Sequence, residues 1–220
     1  LTYTSGGTTA TDDIEVFALP TVTFTALADL CVDAGTLFGS LGSPIGGVYS
    51  GPGVTDQGDG VNYIFDPAAA GVGTHTLSYT FTDANGCTGS ATDDVEVFAL
   101  PTVTFTALAD LCIDAGVQAG LGGGTPTGGV YSGTGVTDDG NGMTYSFDPA
   151  AAGLGIHTIT YTFTDANGCT GSATDNVEVL PLPTVTFTAL ADLCVDAGVQ
   201  AGLGGGTPTG GVYSGTGVTD

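Results

Sequence analysis

Three kinds of side chain in this sequence could do chemistry: thiols, carboxylates and imidazoles. The five thiols, spaced 56, 25, 57 and 25 residues apart, belong to Cys31, Cys87, Cys112, Cys169 and Cys194. Asp and Glu together number 23, and the imidazoles are those of two histidines. A thiol can act as a nucleophile, a metal ligand or half of a disulfide, and grouped carboxylates can bind calcium or hydrolyse glycosides.

The spacing of the cysteines favours disulfides over the other thiol chemistries. The sequence has no CxxC pair, and zinc sites usually contain such close pairs. A nucleophilic thiol needs a neighbouring base, but each histidine begins the strand whose far end leads to the cysteine. Distant cysteines at repeated spacings are typical of one disulfide per module in an oxidising compartment. We therefore expect Cys31 to bond Cys87 and Cys112 to bond Cys169, with Cys194 unpaired within these 220 residues.

The acidic loops leave two alternatives open, calcium binding and ordinary hydrogen-bonded turns. The stretches VTDQGDGVNYIFD and VTDDGNGMTYSFD place carboxylates at short spacing among glycines, and Ca²⁺ is bound by six to eight oxygens. Neither stretch has the twelve-residue EF-hand pattern or its terminal glutamate, and Asp, Asn and Gly are also common turn residues. The candidate calcium ligands are Asp56, Asp59, Asp138, Asp139 and Asn141.

The complete absence of lysine and arginine excludes several functions. The formal net charge is −23, so a nucleic acid is not an expected partner, because phosphate binding needs cationic side chains. Lysine-dependent phosphate loops and arginine clamps are excluded for the same reason. The acids lie in predicted turns and recur in each repeat, which is unlike the cleft of a glycosidase. The sequence predicts a protein that is not an enzyme, with no apolar run long enough to insert into a membrane.

An internal repeat of about 80 residues organises the chain. The stretch LPTVTFTALADLC begins at Leu19, Leu100 and Leu182, and FDPAAAG recurs at Phe65 and Phe147. We divide the chain accordingly into four segments: residues 1–17, the last hairpin of a divergent preceding repeat; 18–98, the first complete repeat; 99–180, the second complete repeat; and 181–220, a partial third repeat.

Local patterns within each repeat predict short β-strands. The stretch TVTFTAL alternates Val103 and Phe105 with threonines, and HTITYTFTD places Ile159, Tyr161 and Phe163 on one face. The intervening segments are rich in turn residues, and DPAAAG predicts a single helical turn. About seven short strands in eighty residues predict an all-β fold of tandem immunoglobulin-like β-sandwich modules, each with one disulfide.

The histidines are expected at a corner of this fold. His75 follows GVGT and His157 follows GLGI, at the point where the chain enters a strand. Such a corner is often fixed by a tyrosine hydroxyl bonded to the backbone, and an imidazole can donate a similar bond. One histidine per repeat cannot build a histidine-rich metal site, so a structural role is predicted for both.

The combined motifs resemble a known family. The stretch GGVYSGTGVTD, followed by YSFDPAAAGLGIHTITYTFTDANGCTGSATDNVEV, resembles the immunoglobulin-like, PKD-related tandem repeats of giant surface proteins of gliding bacteria. The resemblance covers both complete repeats, although His75 and His157 stand where such repeats often have tyrosine. It implies export by the type IX secretion route and a role in adhesin stalks or cell-surface filaments.

The expected function is therefore a stalk or filament segment of an extracellular surface protein that serves adhesion or gliding. Its partners are neighbouring repeats of the same chain, other copies in a fibre, or a polysaccharide. One alternative is a carbohydrate-binding array of a secreted enzyme, for which Tyr49, Tyr131 and Tyr213 are the repeated aromatic candidates. The other alternative is a self-assembling fibre in which threonine-rich strand faces pack between chains.

Overall fold

The computed structural model describes residues 1–25, 27–106 and 108–220. Contacts between residues divide the chain into two compact units. The first contains residues 1–103 and 162–172, and the second contains 104–161 and 173–220. The first unit therefore includes a short stretch of the second repeat, which contains Cys169.

Residues 1–98 contain the N-terminal hairpin and the first complete repeat. Their elements are β1 (Thr2–Ser5), β2 (Thr8–Thr11), β3 (Thr23–Phe24), β4 (Leu30–Cys31), β5 (Leu37–Gly39), β6 (Gly42–Ser43), β7 (Val48–Ser50), β8 (Val54–Asp56), β9 (Tyr63–Phe65), α1 (Pro67–Ala70), β10 (Gly73–Thr82) and β11 (Thr88–Phe98). The predicted strand TVTFTAL is shortened to the two-residue β3 in its first copy, to a bridge at Thr104 in its second and to Thr186–Phe187 in its third. Ala26 and Ala107 in the first two copies lie outside the described residues.

The remaining residues form the second complete repeat and the partial third one. Their elements are β12 (Leu111–Cys112), β13 (Gln118–Leu121), β14 (Val130–Ser132), β15 (Val136–Asp138), β16 (Tyr145–Phe147), α2 (Pro149–Ala152), β17 (Gly155–Thr164), β18 (Thr170–Leu180), β19 (Thr186–Phe187) and β20 (Gly206–Thr207).

Each complete repeat is a sandwich of two sheets. In the first repeat the two larger sheets have the orders β4-β11-β10-β7 and β5-β9-β8, and the short strands β3 and β6 form a separate pair. The second repeat has the same arrangement, with β12-β18-β17-β14 facing β13-β16-β15. The two sheets of the first repeat share one core, to which each contributes buried side chains: Tyr49, Tyr63, Phe65, Leu77, Tyr79, Val95 and Val97. The predicted all-β, immunoglobulin-like sandwich is thus the observed architecture.

The long hairpin of each repeat supplies most of the pairing. Strands β10 and β11 pair in antiparallel register from Gly73↔Val97 to Thr82↔Thr88. Alternation along β10 buries Leu77 and Tyr79, which are 1% and 0% exposed, while Thr76, Ser78 and Thr80 lie on the other face. The same alternation in β17 buries Ile159 and Tyr161. Period-two patterning therefore sets which face of the hairpin forms the core.

The predicted helical turn is also present. In α1 the side chain of Asp66 accepts hydrogen bonds from the backbone amides of Ala68 and Ala69, and Pro67 occupies the first helical position. These two features begin a helix, because the aspartate satisfies free amide groups and proline lacks one. Gly71 ends the turn, since its φ of 84° is readily reached only by glycine. Asp148 has the same role in α2.

Candidate functional site

The disulfide in the structure joins Cys31 to Cys169, with a Cα–Cα distance of 5.6 Å and a sequence separation of 138 residues. This corrects the predicted pairing, because Cys87 and Cys112 are free thiols. Both bonded residues belong to the first compact unit. Cys169 is 0% exposed and Cys31 is half-buried. The cross-link therefore connects the first complete repeat to the second instead of closing each repeat on itself.

Strand register explains why the pairing within a repeat is wrong. Strand β4 pairs in parallel with the last residues of β11, so that Cys31 lies beside Phe98. Cys87 directly precedes β11, which has 11 residues. The two cysteines are thus separated by the length of an extended strand, about 35 Å, whereas a disulfide requires Cα atoms within about 7 Å. Cys112 beside Leu180 has the same relation to Cys169.

The turn that carries Cys169 is held by its own aspartate. Asp165 Oδ1 accepts hydrogen bonds from the amides of Asn167 and Cys169, both at 2.9 Å. The amide of Asp165 in turn donates to the carbonyl of Cys169 at 2.9 Å. Asn, Gly and Asp are the residues expected of such a turn, and here they fix the direction of the thiol. The sequence TDANGC therefore forms a hydrogen-bonded turn that sets the position of its cysteine.

The proline-containing segment that begins each repeat packs against this same hairpin tip. A Cβ atom placed on Gly89 would lie 2.5 Å from the carbonyl oxygen of Pro20, so only glycine fits there. Gly171 has the equivalent close approach to the Pro101 carbonyl. Pro101 follows Phe98 by three residues, and Phe98 lies beside Cys31. The cross-link and the chain connection between the repeats therefore lie close together in the first compact unit.

The candidate calcium ligands of the first repeat are engaged by backbone amides. Asp56 accepts from the amides of Tyr49 and Gly58, each at 2.7 Å. Asp59 Oδ1 accepts from the amides of Val61 and Asn62 at 2.8 and 2.7 Å. These bonds to the carboxylate hold the pKa of Asp59 below its ordinary value, with the Asn62 amide as the main cause. The acids act as acceptors that close loops.

The second repeat keeps this network with different residues. Asp138 accepts from the amides of Tyr131 and Gly140 at 2.7 and 2.8 Å. Asn141 replaces Asp59, and its Oδ1 accepts from the amides of Met143 and Thr144, both at 2.8 Å. An amide oxygen serves as well as a carboxylate for this purpose, which favours the turn interpretation. Among the described residues, no three His, Cys, Asp or Glu side chains are grouped as metal ligands. Calcium binding by these loops, which would need six to eight oxygens around Ca²⁺, stays a prediction.

Other acids hydrogen-bond the segment before β4 to β11, a role that the sequence analysis missed. Asp93 on β11 accepts from the amide of Leu27, and Asp29 accepts from the amide of Glu96, both at 3.0 Å. Asp175 and Asp110 make the equivalent bonds in the second repeat. The only sequence signal was the recurrence of ALADL and TDDVEV or TDNVEV at fixed spacing. These reciprocal bonds position the loop that ends at the ADLC cysteine.

Two of the three repeated tyrosines, those of the complete repeats, are core residues, whereas Tyr213 of the partial repeat is half-buried. Tyr49 and Tyr131 are 4% and 2% exposed. The hydroxyl of Tyr49 accepts from the Gly42 amide at 2.9 Å and donates to the Val61 carbonyl at 3.1 Å. Its ring centroid lies 4.5 Å from that of Tyr79. A side chain bound in this way on both faces and at its hydroxyl cannot stack on a sugar.

The histidines make the corner contact that the sequence predicts. The Nε2 atom of His75 lies 2.8 Å from the Gly71 carbonyl oxygen, and His157 Nε2 lies 2.9 Å from that of Gly153. Both rings are half-buried. The bond ties the end of each helical turn to the start of the long hairpin. Its contribution to stability stays a prediction.

No protein-family model and no curated protein matches this sequence. Among solved structures, the chain is similar to a Ca²⁺-stabilized adhesin that helps an Antarctic bacterium to reach out and bind ice. The identity is 22%, with 86% of this chain and 58% of that chain covered at a TM-score of 0.40. A 1.5-MDa bacterial ice-binding adhesin is 17% identical over 72% of this chain and 64% of that chain, with a TM-score of 0.39.

A third similar structure is that of the fibronectin(III)-like modules of Clostridium thermocellum CbhA. It is 13% identical over 73% of this chain and 95% of that chain, with a TM-score of 0.31. The chain spans less than two thirds of either adhesin structure. In the described part of the chain, no helix is long and apolar enough to cross a membrane. From its own strand order and shared two-sheet core, the chain is an array of immunoglobulin-like β-sandwich repeats.

Proposed function

We propose that this chain is a structural segment of an extracellular bacterial surface protein, in which it forms part of a stalk or filament that serves adhesion. The observation that carries the proposal is the Cys31–Cys169 bond. This bond gives the first and second repeats a covalent connection in addition to the main chain. A link of this kind is suited to a segment that transmits tension, because the joint does not depend on non-covalent contacts alone.

The composition supports an exposed location. Disulfides persist in oxidising compartments, which include the bacterial surface. The net charge of −23, with no lysine or arginine, keeps chains apart and soluble. It also removes every site at which trypsin-like proteases cut. Export by the type IX secretion route and a part in gliding rest on the family resemblance alone and belong to this proposal.

Force spectroscopy on the full chain tests the mechanical role. The chain is held at residues 1 and 220 and stretched with and without reductant. The bond shields 138 residues from extension, so the oxidised chain should be shorter at full extension by about 480 Å. The Cys112→Ser variant is the matched control and should behave like the parent chain. An oxidised chain that extends to its full length would show that this cross-link does not carry tension.

Labelling of intact bacteria that make the protein tests its location. An antibody against the folded repeats should bind intact cells, and the signal should not rise when the cells are lysed. Deletion of residues 18–180 should reduce attachment of the cells to a surface without removing the remaining protein from it. Labelling only after lysis, or unchanged attachment of the deletion strain, would overturn the proposed function.

Lateral assembly into a fibre is a second candidate, supported by exposed hydroxyl groups on the long hairpins. Thr82 and Thr88 are exposed and face each other across the first hairpin, with 3.0 Å between their hydroxyl oxygens. Thr164 and Thr170 repeat this pair. Because each chain carries a charge of −23, side-by-side packing needs counterions. Light scattering should then rise steeply with salt, and scattering independent of salt would exclude this candidate.

A further inference from the structure

Two of the free thiols, those of Cys87 and Cys112, occupy the same backbone positions as the thiols that are bonded. Cys31 lies beside Phe98, and Cys112 lies beside Leu180, in the same parallel pairing. The hydrogen bonds around them also match: the carbonyl oxygens of both cysteines accept from the amide three residues later, at 3.0 Å in each case. Cys112 is therefore held in the conformation that Cys31 has in the cross-link.

The turn cysteines show the same equivalence. Asp83 Oδ1 accepts from the amides of Asn85 and Cys87, both at 2.9 Å, as Asp165 does around Cys169. The turn around free Cys87 thus has the geometry of the bonded turn. Exposure distinguishes them, because Cys169 is 0% exposed whereas Cys87 is half-buried. The other free cysteine is also more exposed than its bonded counterpart: Cys112 is exposed, whereas Cys31 is half-buried.

We propose that Cys112 is one half of a second cross-link, and that the rule of pairing is sequential: the ADLC cysteine of each repeat bonds the TDANGC cysteine of the repeat that follows it. The partner of Cys112 is then the turn cysteine of a repeat that follows residue 180. The same rule gives Cys87 the ADLC cysteine of a preceding repeat as its partner. This inference concerns covalent connectivity and holds whether or not the protein is adhesive.

Formation of the bond requires an oxidant, for which a small disulfide is sufficient. The Cys112 thiolate attacks one sulfur of the small disulfide and releases one small thiol. The turn thiolate then attacks the mixed disulfide at Cys112, which forms the protein disulfide and releases a second small thiol. Two protein thiols are oxidised, and one small disulfide is reduced to two thiols that take up the two protons.

The test uses the full chain extended at its C-terminus by a copy of residues 139–180, which completes the third repeat. This extended chain has six cysteines, and it is refolded with oxidised and reduced glutathione. Free thiols are counted by the mass added by a maleimide under denaturing conditions. The sequential rule gives two bonds and two free thiols, on Cys87 and Cys194. Pairing within repeats would give three bonds and no free thiol.

Two serine variants identify the partner of the added cysteine. Cys112→Ser should raise the count from two free thiols to three, since the added turn cysteine loses its partner. Cys194→Ser is the matched control and should lower the count to one, with the bond to Cys112 intact by peptide mapping. A count of zero in the extended chain, or of four with only Cys31–Cys169 formed, would overturn the proposal. So would a mapped bond between Cys194 and the added cysteine.

Discussion

Two segments of this chain have almost the same sequence and very different structures. Residues 100–138 and 182–220 are 39 residues each and differ only where Ile113 is replaced by Val195. In the first segment Tyr131 is 2% exposed, and strands β12 to β15 pair with the second half of the repeat. In the second segment the corresponding tyrosine, Tyr213, is only half-buried, and the strands are β19 and β20.

What the two segments share is local. The Thr186–Thr207 pairing corresponds to the Thr104–Thr125 bridge of the complete repeat. The Gly206 amide donates to the Tyr213 hydroxyl at 3.1 Å, as Gly124 does to Tyr131 at 2.9 Å. The segments differ in every strand pairing that requires the long hairpin or β16: residues 100–138 make these pairings and residues 182–220 do not. The comparison shows that the first half of a repeat forms short-range bonds by itself but takes its sheets from the second half.

The largest expected effect is the folding of residues 182–220 when a copy of residues 139–180 is added after Asp220. Tyr213 should become as buried as Tyr131, because β16 and β17 would then have counterparts. If the added half contributes about 3 kcal/mol of local stability, amides in this segment should exchange about 100-fold more slowly by hydrogen exchange. An added segment of the same composition in scrambled order is the control. Equal exchange with both additions would contradict the template role of the second half.

Loss of the Cys31–Cys169 bond should have the next largest effect. Cys31→Ser should lower the free energy of unfolding by about 2–4 kcal/mol, because the bond restricts a long loop in the unfolded chain. Thermal melts with and without reductant measure the effect. Cys112→Ser changes the equivalent residue without removing a bond and should leave the melt unchanged. Equal destabilisation by both variants would show that the bond itself is not responsible.

A matched glycine pair probes the difference between the two segments directly. A Cβ atom at Gly124 would lie 2.6 Å from the Tyr161 ring, whereas at Gly206 the nearest atom is the Tyr213 hydroxyl oxygen at 3.2 Å. Gly124→Ala should therefore cost about 1–3 kcal/mol by overpacking, and Gly206→Ala should change stability by less than about 0.5 kcal/mol. Urea unfolding of the two variants provides the measurement. Similar midpoints for both would mean that the second repeat can relax around the added methyl group.

Alkaline pH should weaken the complete repeats and not the partial one. Burial raises the pKa of Tyr63 and Tyr145 to about 12, from an ordinary value of 10.0. The folded state keeps their protons while the unfolded state loses them, so their contribution is full below pH 10 and is lost as the pH rises toward 12. Far-ultraviolet circular dichroism, recorded as the pH rises across this range, measures this loss of folded structure.

One buried hydroxyl offers a control for this titration. The Tyr63 hydroxyl has no hydrogen-bond partner among the described residues, so Tyr63→Phe should keep or slightly raise stability at neutral pH. The variant should also lose stability less steeply between pH 10 and 12. A steeper loss than in the parent chain would show that Tyr63 is not a source of the pH dependence.

The smallest expected effect is that of a chelator. The loop acids of both complete repeats already accept backbone amides, as Asp56 and Asp138 do. Addition of EDTA should therefore shift the melting temperature by less than about 1 °C, and added Ca²⁺ should do no more than screen charge. A decrease of several degrees in the melting temperature with EDTA would show that these loops bind calcium. The acidic side chains of residues 182–220 are exposed in the same chain, so their response to EDTA is the comparison for the loop acids of the complete repeats.

The sequence by itself determined the class of fold and the positions of its local turns. Period-two patterns identified the long hairpins, because burial of one face of a sheet requires alternation. The Asp-Pro pair identified the helical turns, and the Asn-Gly step identified the tip that carries Cys87 or Cys169, because these residues act within a few positions of themselves. His75 lies four residues after Gly71, whose carbonyl oxygen its ring contacts, so this contact is local as well.

Only the tertiary structure decided which cysteines meet and which tyrosines are buried. Cys31 is far from Cys87 because β4 pairs in parallel with the distal end of β11, and no local pattern encodes which end of a strand a distant segment joins. Tyr131 and Tyr213 have nearly identical neighbours in sequence, yet only Tyr131 is in a closed core. Pairing between distant strands depends on the whole sandwich, and that is why repeated sequence here has two different structures.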